Sequence, residues 1–211
     1  LVQRSMMQRS IWGLLYALVI AFVCTAFPWS PGLLFLLLLG VALEALRLPG
    51  LSPKLRAATL LYTFACALAT GWLWGMGGGD SLLAVFVLIW LSDSMAYAGG
   101  RLFGKTPMAP ILSPKKTWEG LITGVIFTVG IGYALLHYTL DVSLKLTLIM
   151  TVTVAVTAPI GDLIGSYLKR QAGVKDSGVF LPGHGGFLDR LDSFLLSSTV
   201  LVLLLIAMQT I

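Results

Sequence analysis

The sequence predicts an all-α, polytopic integral membrane protein with about seven transmembrane helices. Of its 211 residues 57% are hydrophobic and only 11% are charged, and the mean hydropathy is +0.93. Long apolar runs alternate with short polar segments. Such a composition lies outside the range of soluble domains and is typical of chains buried in a bilayer. Because lipid offers no hydrogen bonds to the backbone, helices are the expected elements.

Seven apolar runs approach the length of about 20 residues that a helix needs to cross a bilayer. They are residues 11–27, 32–46, 57–74, 81–98, 121–138, 144–160 and 193–211. The second run is short, so it is expected to tilt little or to be re-entrant. The first lacks a cleavage site of small residues and is interpreted as a retained span. The chain begins with Leu, so Met6 or Met7 is the expected natural start, and residues 1–5 are interpreted as an added remnant.

The positive charges predict the orientation of the chain in the membrane. Of 14 Lys and Arg residues, all but Lys145 lie before run one or in the segments after runs two, four and six. The positive-inside rule therefore places the N-terminus and these three segments in the cytoplasm. The net charge of +5 is typical of basic loops beside anionic headgroups, so no nucleic-acid partner is expected. Cys24 and Cys66 lack metal-ligand spacing and are interpreted as buried thiols.

The first candidate cluster is GDLIGSYLKR, which follows the sixth apolar run. On a helix, Asp162, Ser166 and Lys169 share one face, and Arg170 flanks it. Pro159 is expected to end or kink the preceding helix. A carboxylate and cations at the membrane boundary are costly to desolvate without a partner, which favours a functional role. The alternative is an interfacial helix whose cations extend toward the headgroups.

The second candidate cluster is LPGHGGFLDRLDS, before the last run. A proline and three glycines predict a tight turn, whose backbone N–H groups suit phosphate oxygens. The two aspartates, three residues apart, could offer oxygen ligands to a hard cation. Alternatively, the histidine is structural and the second aspartate only favours a helix start. The candidates are Gly183, His184, Gly185, Gly186, Asp189, Arg190 and Asp192.

The third candidate cluster covers residues 92–120. Asp93 lies near the cytosolic end of run four, and four cations follow it among glycines and prolines: Arg101, Lys105, Lys115 and Lys116. A basic loop beside a carboxylate fits a polyphosphate whose charge is partly carried by a divalent metal. The alternative is a solvated loop that only obeys the positive-inside rule. Glu44, at the end of run two, is interpreted as structural.

Together these segments offer what phosphoryl or nucleotidyl transfer requires: metal ligands, cations and backbone amides. The sequence has no P-loop, no kinase motif and no GxSxG. A transporter is a rival interpretation because charges within membranes often mark ion paths. The charges in this sequence gather on the predicted cytosolic side of the membrane, which disfavours a transporter. The residues alone therefore indicate a membrane enzyme that acts on a phosphate-bearing substrate.

The segment from Ser166 to Asp192 resembles, over its whole length, the signature of the phosphatidate cytidylyltransferase (CDP-diacylglycerol synthase) family. The matching positions are Ser166, Lys169, Arg170, Lys175, Asp176, the run LPGHGG, Asp189, Arg190 and Asp192. The upstream runs GRLFGK and SPKKTWEG are also similar to that family. Family members are usually longer, and the expected difference is a block of spanning helices near residues 47–60.

The resemblance implies transfer of CMP from CTP to phosphatidate, giving CDP-diacylglycerol and diphosphate in phospholipid biosynthesis. It implies Mg²⁺, with a monovalent cation such as K⁺ as a second candidate ion. Asp162 and Asp189 match the family's metal ligands. The catalytic candidates are Lys169, Arg170, Lys175, Asp176, His184 and Arg190. The substrate-binding candidates are Asp93, Arg101, Lys105, Lys115, Lys116, Ser166, Gly183, Gly185, Gly186 and Asp192.

The resemblance also implies a bacterial inner-membrane protein whose active site faces the cytosol, and a homodimer as a candidate assembly. Residues 1–56 would form N-terminal membrane helices, and residues 57–211 a catalytic transmembrane domain. Two alternatives stay open. One is a related transferase acting on another membrane lipid, similar to a CDP-archaeol synthase or a polyprenol kinase. The other is an inactive, short paralogue.

Overall fold

The computed structural model describes residues 2–26, 30–139, 142–178 and 185–209. Within these ranges the chain forms six helices and two short strands. They are α1 (Val2–Ala26), α2 (Ser30–Arg47), α3 (Pro53–Phe103), β1 (Pro107–Ala109), β2 (Ser113–Thr117), α4 (Trp118–Thr139), α5 (Leu144–Gln171) and α6 (Leu188–Gln209).

The prediction of a helical membrane protein is confirmed. Among the described residues, four helical stretches are long and apolar enough to cross a membrane: Pro53–Phe103, Trp118–Tyr138, Leu144–Gln171 and Leu188–Met208. A shorter apolar stretch, Gly13–Thr25, lies in α1. The seven spans indicated by the apolar runs stay a prediction.

Helix α3 combines the third and fourth predicted runs in one element of 51 residues. Its regular geometry is interrupted at Gly77 and Gly78. Gly78 has φ +61° and ψ −145°, a conformation that side chains with a Cβ rarely adopt. α3 therefore consists of two helices that meet at a kink, and the kink falls in the glycine-rich segment expected to separate the two runs.

The chain divides into two compact units, one made of Leu1–Leu83 with Leu168–Asp192, the other of Ala84–Tyr167 with Ser193–Ile211. In the second unit the buried rings of Phe86 and Phe194 stack with centroids 4.4 Å apart. One buried hydroxyl is bonded both within its helix and to a neighbouring helix: Thr157 Oγ1 donates to Thr153 O at 2.7 Å and lies 3.0 Å from Ser197 Oγ. Such bonds allow polar side chains inside an apolar helix bundle.

A β-hairpin, which the sequence analysis did not predict, lies between α3 and α4. Strands β1 and β2 pair antiparallel, with Pro107 opposite Thr117 and Ala109 opposite Ser113. The Thr117 hydroxyl accepts a hydrogen bond from Gly120 N at 3.2 Å and so caps α4. The hairpin therefore leads directly into the next helix.

Of the two outcomes expected at Pro159, an end or a kink, the end is contradicted and the kink stays a prediction. Helix α5 continues through Pro159 to Gln171, as membrane helices tolerate proline where other groups satisfy the freed backbone carbonyl. The helix stops at Gly173, whose φ is +71°, with Gly173 N donating to Arg170 O and Val174 N to Lys169 O. This is the left-handed termination that glycine favours.

Candidate functional site

A cavity of about 360 Å³, here called the hairpin cavity, lies in the second unit. It contains five of the charged residues that the sequence singled out: Asp93 and Arg101 from α3, Lys115 and Lys116 from β2, and Asp162 from α5. Its remaining lining is Ala96, Tyr97, Gly100, Met108, Thr117, Gly120, Leu121 and Pro159. Three cations and two carboxylates give its side chains a net positive charge, which suits an anionic ligand.

Close packing of α3 against α4 shapes one wall of the hairpin cavity. A Cβ added to Gly120 would lie 2.7 Å from Ala96 O and 3.1 Å from Gly100 Cα. Only glycine therefore fits at Gly120, as is usual where membrane helices approach closely. The sequence showed these glycines as part of a loop, whereas they belong to a helix–helix contact.

Inside the hairpin cavity, Lys116 forms an ion pair with Asp162. Its ammonium also donates to Pro159 O at 3.4 Å. The Lys116 and Asp162 side chains are 25% and 34% exposed, so water screens their attraction. Such a pair contributes at most about 1 kcal/mol, and a phosphate or a metal ion can displace either partner at little cost.

Glu119, in the first turn of α4, holds the base of the hairpin. Its carboxylate accepts hydrogen bonds from Lys105 N at 3.1 Å and from Thr106 Oγ1 at 2.8 Å. Thr106 N donates to both of its oxygens at 3.2 Å. Lys105 therefore contributes its backbone here, and it does not line the hairpin cavity. Sequence reasoning missed Glu119, although an acidic residue in the first turn of a helix is a usual helix-start signal.

In the first unit, Asp189 lies at the centre of a second group of polar residues, here called the Asp189 cluster (Glu44, Lys169, Ser177, Gly186 and Asp189). Oδ1 of Asp189 accepts from Lys169 Nζ at 2.5 Å. Oδ2 accepts from Ser177 N at 2.8 Å, Ser177 Oγ at 3.0 Å and Gly186 N at 2.8 Å. The Lys169 and Asp189 side chains are only 12% and 7% exposed. The carboxylate is therefore neutralised and fixed from two directions.

Glu44, on α2, contacts the same segment. Its Oε1 accepts from Phe187 N at 2.8 Å, and its Oε2 accepts from Ser177 Oγ at 2.8 Å and from Leu188 N at 3.0 Å. These N–H groups belong to the start of α6, where a helix leaves its donors unpaired. Sequence reasoning interpreted Glu44 only as structural. The sequence feature that could have indicated this contact is a carboxylate at the end of an otherwise apolar run.

The other residues of the predicted signature differ in how exposed they are. Arg170 is exposed and donates to Val174 O at 3.0 Å. Lys175 and Asp176 are exposed, Ser166 and Arg190 are half-buried, and Asp192 is buried. Gly185 has φ +82° and precedes α6. Gly183 and His184 lie outside the described residues, so the predicted Pro-Gly turn has no structural account.

The predicted magnesium ligands differ in how well they suit a metal ion. Mg²⁺ usually takes one or two carboxylates and completes its shell with waters and substrate phosphates. Asp162 suits this role because it is partly exposed within the hairpin cavity. At Asp189, three donors use Oδ2, so only Oδ1, which already accepts from Lys169, has capacity left. No three His, Cys, Asp or Glu side chains gather as a metal site within the described parts of the chain.

Comparison with known proteins identifies bacterial relatives of this chain. A phosphatidate cytidylyltransferase of Haemophilus influenzae is 39% identical over 189 residues, covering 87% of this chain and 62% of that protein. That of Staphylococcus haemolyticus is 43% identical over 128 residues, covering 60% of this chain and 49% of that protein. That of Staphylococcus aureus is 41% identical over 127 residues, with 59% and 48% covered. The chain thus spans less than two thirds of the length of these relatives.

The pattern of the Cytidylyltransferase family matches residues 62–208. The match covers well over half of the chain, including the hairpin cavity and, apart from Glu44, the Asp189 cluster. The chain therefore belongs to the Cytidylyltransferase family.

Proposed function

We propose that the chain transfers CMP from CTP to phosphatidate, forming CDP-diacylglycerol and diphosphate within a membrane. The observation that carries this proposal is the hairpin cavity, which presents three cations and two carboxylates among apolar helices. Its volume lies in the range of small-molecule sites. Family membership and the names of the relatives from Haemophilus and Staphylococcus support the same reaction.

The hairpin cavity would position the nucleotide. Arg101 can bind two phosphate oxygens at once, whereas lysines act as point charges. Lys116 is held toward Asp162 before substrate arrives, so its ammonium is already oriented and can exchange a carboxylate oxygen for a phosphate oxygen. Asp93 adds a carboxylate to the same lining. Cations close to phosphate oxygens lower the electrostatic barrier to bringing two anions together.

The signature segment would bind the lipid phosphate and the departing diphosphate. Arg170 and Lys175 are exposed and can reach a ligand without breaking a buried contact. Lys169 is held by Asp189, and Arg190 lies in the first turn of α6. Gly185 and Gly186 are proposed to act in the same step by shaping the turn around Asp189, to which Gly186 N donates at 2.8 Å.

In the reaction, a phosphatidate oxygen attacks the α-phosphorus of CTP, and the bond from that phosphorus to the diphosphate oxygen breaks. The attacking oxygen is already anionic, so the reaction needs no strong general base. The protein's task is to align the phosphates and to neutralise their charge. We propose Asp162, in the second unit, and Asp189, in the first, each as a candidate ligand of Mg²⁺, which would supply further charge neutralisation to the phosphates.

The decisive experiment is diphosphate release by purified protein in detergent, with CTP, Mg²⁺ and phosphatidate. We expect release that depends on phosphatidate, disappears in Asp189→Asn and is absent with ATP. A folded, monodisperse sample that releases no diphosphate would refute the proposed reaction. Release with another membrane lipid but not with phosphatidate would support the related-transferase alternative.

We also propose seven spans, with the hairpin and the signature segment on the cytosolic side. Charge distribution supports this arrangement: Lys145 is the one Lys or Arg assigned to the opposite side. Lys105→Cys and Lys145→Cys form a matched pair, because both positions are exposed. In a variant lacking Cys24 and Cys66, an impermeant maleimide added to intact spheroplasts should label only Cys at 145. Labelling of position 105 from outside would contradict the orientation.

A further inference from the structure

Helix α2 holds the start of α6 through two residues one turn apart. Glu44 accepts the N–H groups of Phe187 and Leu188. At Gly40 an added Cβ would lie 2.7 Å from the Phe187 ring, so the ring packs directly on the helix backbone. α2 therefore fixes both the main chain and a side chain of the residues just before Asp189.

Glu44 also fills the space beside two glycines of the signature segment. A Cβ added to Gly178 or to Gly186 would collide with the Glu44 carboxylate. Gly186 N is one of the donors to Asp189 Oδ2. The carboxylate of Glu44 thus sets how the backbone at Gly186 is placed, and that backbone in turn orients Asp189.

A second path connects Glu44 to Asp189 through the hydroxyl of Ser177. Ser177 Oγ lies 2.8 Å from Glu44 Oε2 and 3.0 Å from Asp189 Oδ2. A hydroxyl has one proton, so it can donate fully to one carboxylate at a time. The acceptor strength of the Glu44 side chain therefore determines how far the Ser177 hydroxyl donates to Asp189.

We infer that Glu44 is a positioning residue of the transfer reaction, acting on Asp189 through the Ser177 hydroxyl and the Gly186 amide. This inference rests on the proposed function. It assigns a role in the reaction to a residue outside the segment that matches the family, residues 62–208. Glu44 does not line the hairpin cavity, so its removal should impair turnover more than nucleotide binding.

The alternative hypothesis, that Glu44 serves only as a cap of α6, predicts a different result. If Glu44 only satisfied the N–H groups of α6, its loss would destabilise the fold but leave the folded molecules with normal turnover. Substituting Glu44 and Ser177 would then have independent effects. If instead Glu44 acts through Ser177, the two substitutions should be coupled.

The test compares Glu44→Gln, Ser177→Ala and the double variant in the purified full chain. In Glu44→Gln, one carboxylate oxygen becomes an amide NH₂ that donates where an acceptor is needed. We expect kcat to fall about 10- to 100-fold, as for outer partners of other functional carboxylates, with little change in KM for CTP. Ser177→Ala should also lower kcat, and the double variant should be no worse than the more impaired single one. Arg47→Gln, an exposed site on the same helix, is the matched control.

Hydrogen exchange of the peptide containing Phe187 and Leu188 provides a readout that does not depend on activity. Exchange should be faster in Glu44→Gln than in wild type and unchanged in Arg47→Gln.

Wild-type kcat in folded Glu44→Gln, or additive effects in the double variant, would overturn the inference. If Glu44→Gln does not fold, the Ser177→Ala variant tests the inference instead. A wild-type kcat in Ser177→Ala would then overturn the proposed action of Glu44 on Asp189 through the Ser177 hydroxyl. If wild type shows no release while exchange responds as expected, the proposed function fails, although Glu44 still holds the loop.

Discussion

The ammonium of Lys169 donates to Oδ1 of Asp189 at 2.5 Å, joining the last turn of α5 to the first turn of α6. Both side chains are nearly buried, where an ion pair is costly to form and more costly to break on one side. The pair therefore fixes the two ends of the signature segment relative to each other. It also keeps a lysine and a carboxylate, the two kinds of group that phosphate chemistry requires, at one place.

The first prediction concerns Lys169. Lys169→Ala removes a cation that we assign to the substrate phosphates and leaves the Asp189 charge without its ammonium partner. We expect kcat for diphosphate release to fall about 100- to 1,000-fold, by analogy with the loss of one electrostatic stabiliser. Lys54→Ala, an exposed lysine at the start of α3, should keep the wild-type rate. Comparable rates in the two variants would show that Lys169 has no role in turnover.

The second prediction separates the two candidate metal ligands. Asp162→Asn and Asp189→Asn should each nearly abolish diphosphate release. Their effects on stability should differ, because Asp162 is partly exposed in a weak ion pair. Asp189, in contrast, accepts four hydrogen bonds, one of them from the nearly buried ammonium of Lys169. Thermal unfolding in detergent should therefore show a small shift for Asp162→Asn and a clear decrease for Asp189→Asn. If both folded variants keep near wild-type rates, the assignment of metal ligands is wrong.

Helix positions followed from the apolar runs because membrane helices must be apolar where they meet lipid. The ends of the helices could not be predicted from the apolar runs. The sixth run predicts a helix from 144 to 160, and α5 starts at Leu144 but ends at Gln171. Hydropathy marks where a helix is in contact with lipid, whereas the backbone stays helical until Gly173 stops it. The hairpin was missed for a related reason, since its strands have three and five residues and no alternating pattern.

The charged candidates were found from the sequence, but their pairing was not. Residue type and clustering indicated Lys116, Asp162, Lys169 and Asp189. Nothing local indicates that Lys116 pairs with Asp162, since one lies on β2 and the other on α5. The bond between Glu44 and Ser177 joins residues 133 positions apart. Such pairings depend on how the helices pack, which periodicity within one segment does not contain.

The third prediction tests the close packing beside the hairpin cavity with two glycines of α4. Gly120→Ala would place a Cβ 2.7 Å from Ala96 O, whereas a Cβ at Gly130 has nothing within 4 Å. Gly120→Ala should therefore lower the midpoint of thermal unfolding and raise KM for CTP, since the helices must separate beside the nucleotide site. Gly130→Ala should leave both unchanged or slightly raise stability. Equal behaviour of the two variants would mean that the contact of α3 with α4 does not constrain the cavity.

The fourth prediction concerns Glu119 and the hairpin. Glu119→Ala removes the acceptor of bonds from Lys105 N, Thr106 N and Thr106 Oγ1. The hairpin that carries Lys115 and Lys116 should then be held less firmly, so trypsin should cleave after these lysines faster and KM for CTP should rise. Thr106→Val removes only the hydroxyl bond and should give a smaller effect in the same direction. Unchanged cleavage and KM in Glu119→Ala would show that the strand pairing alone positions the two lysines.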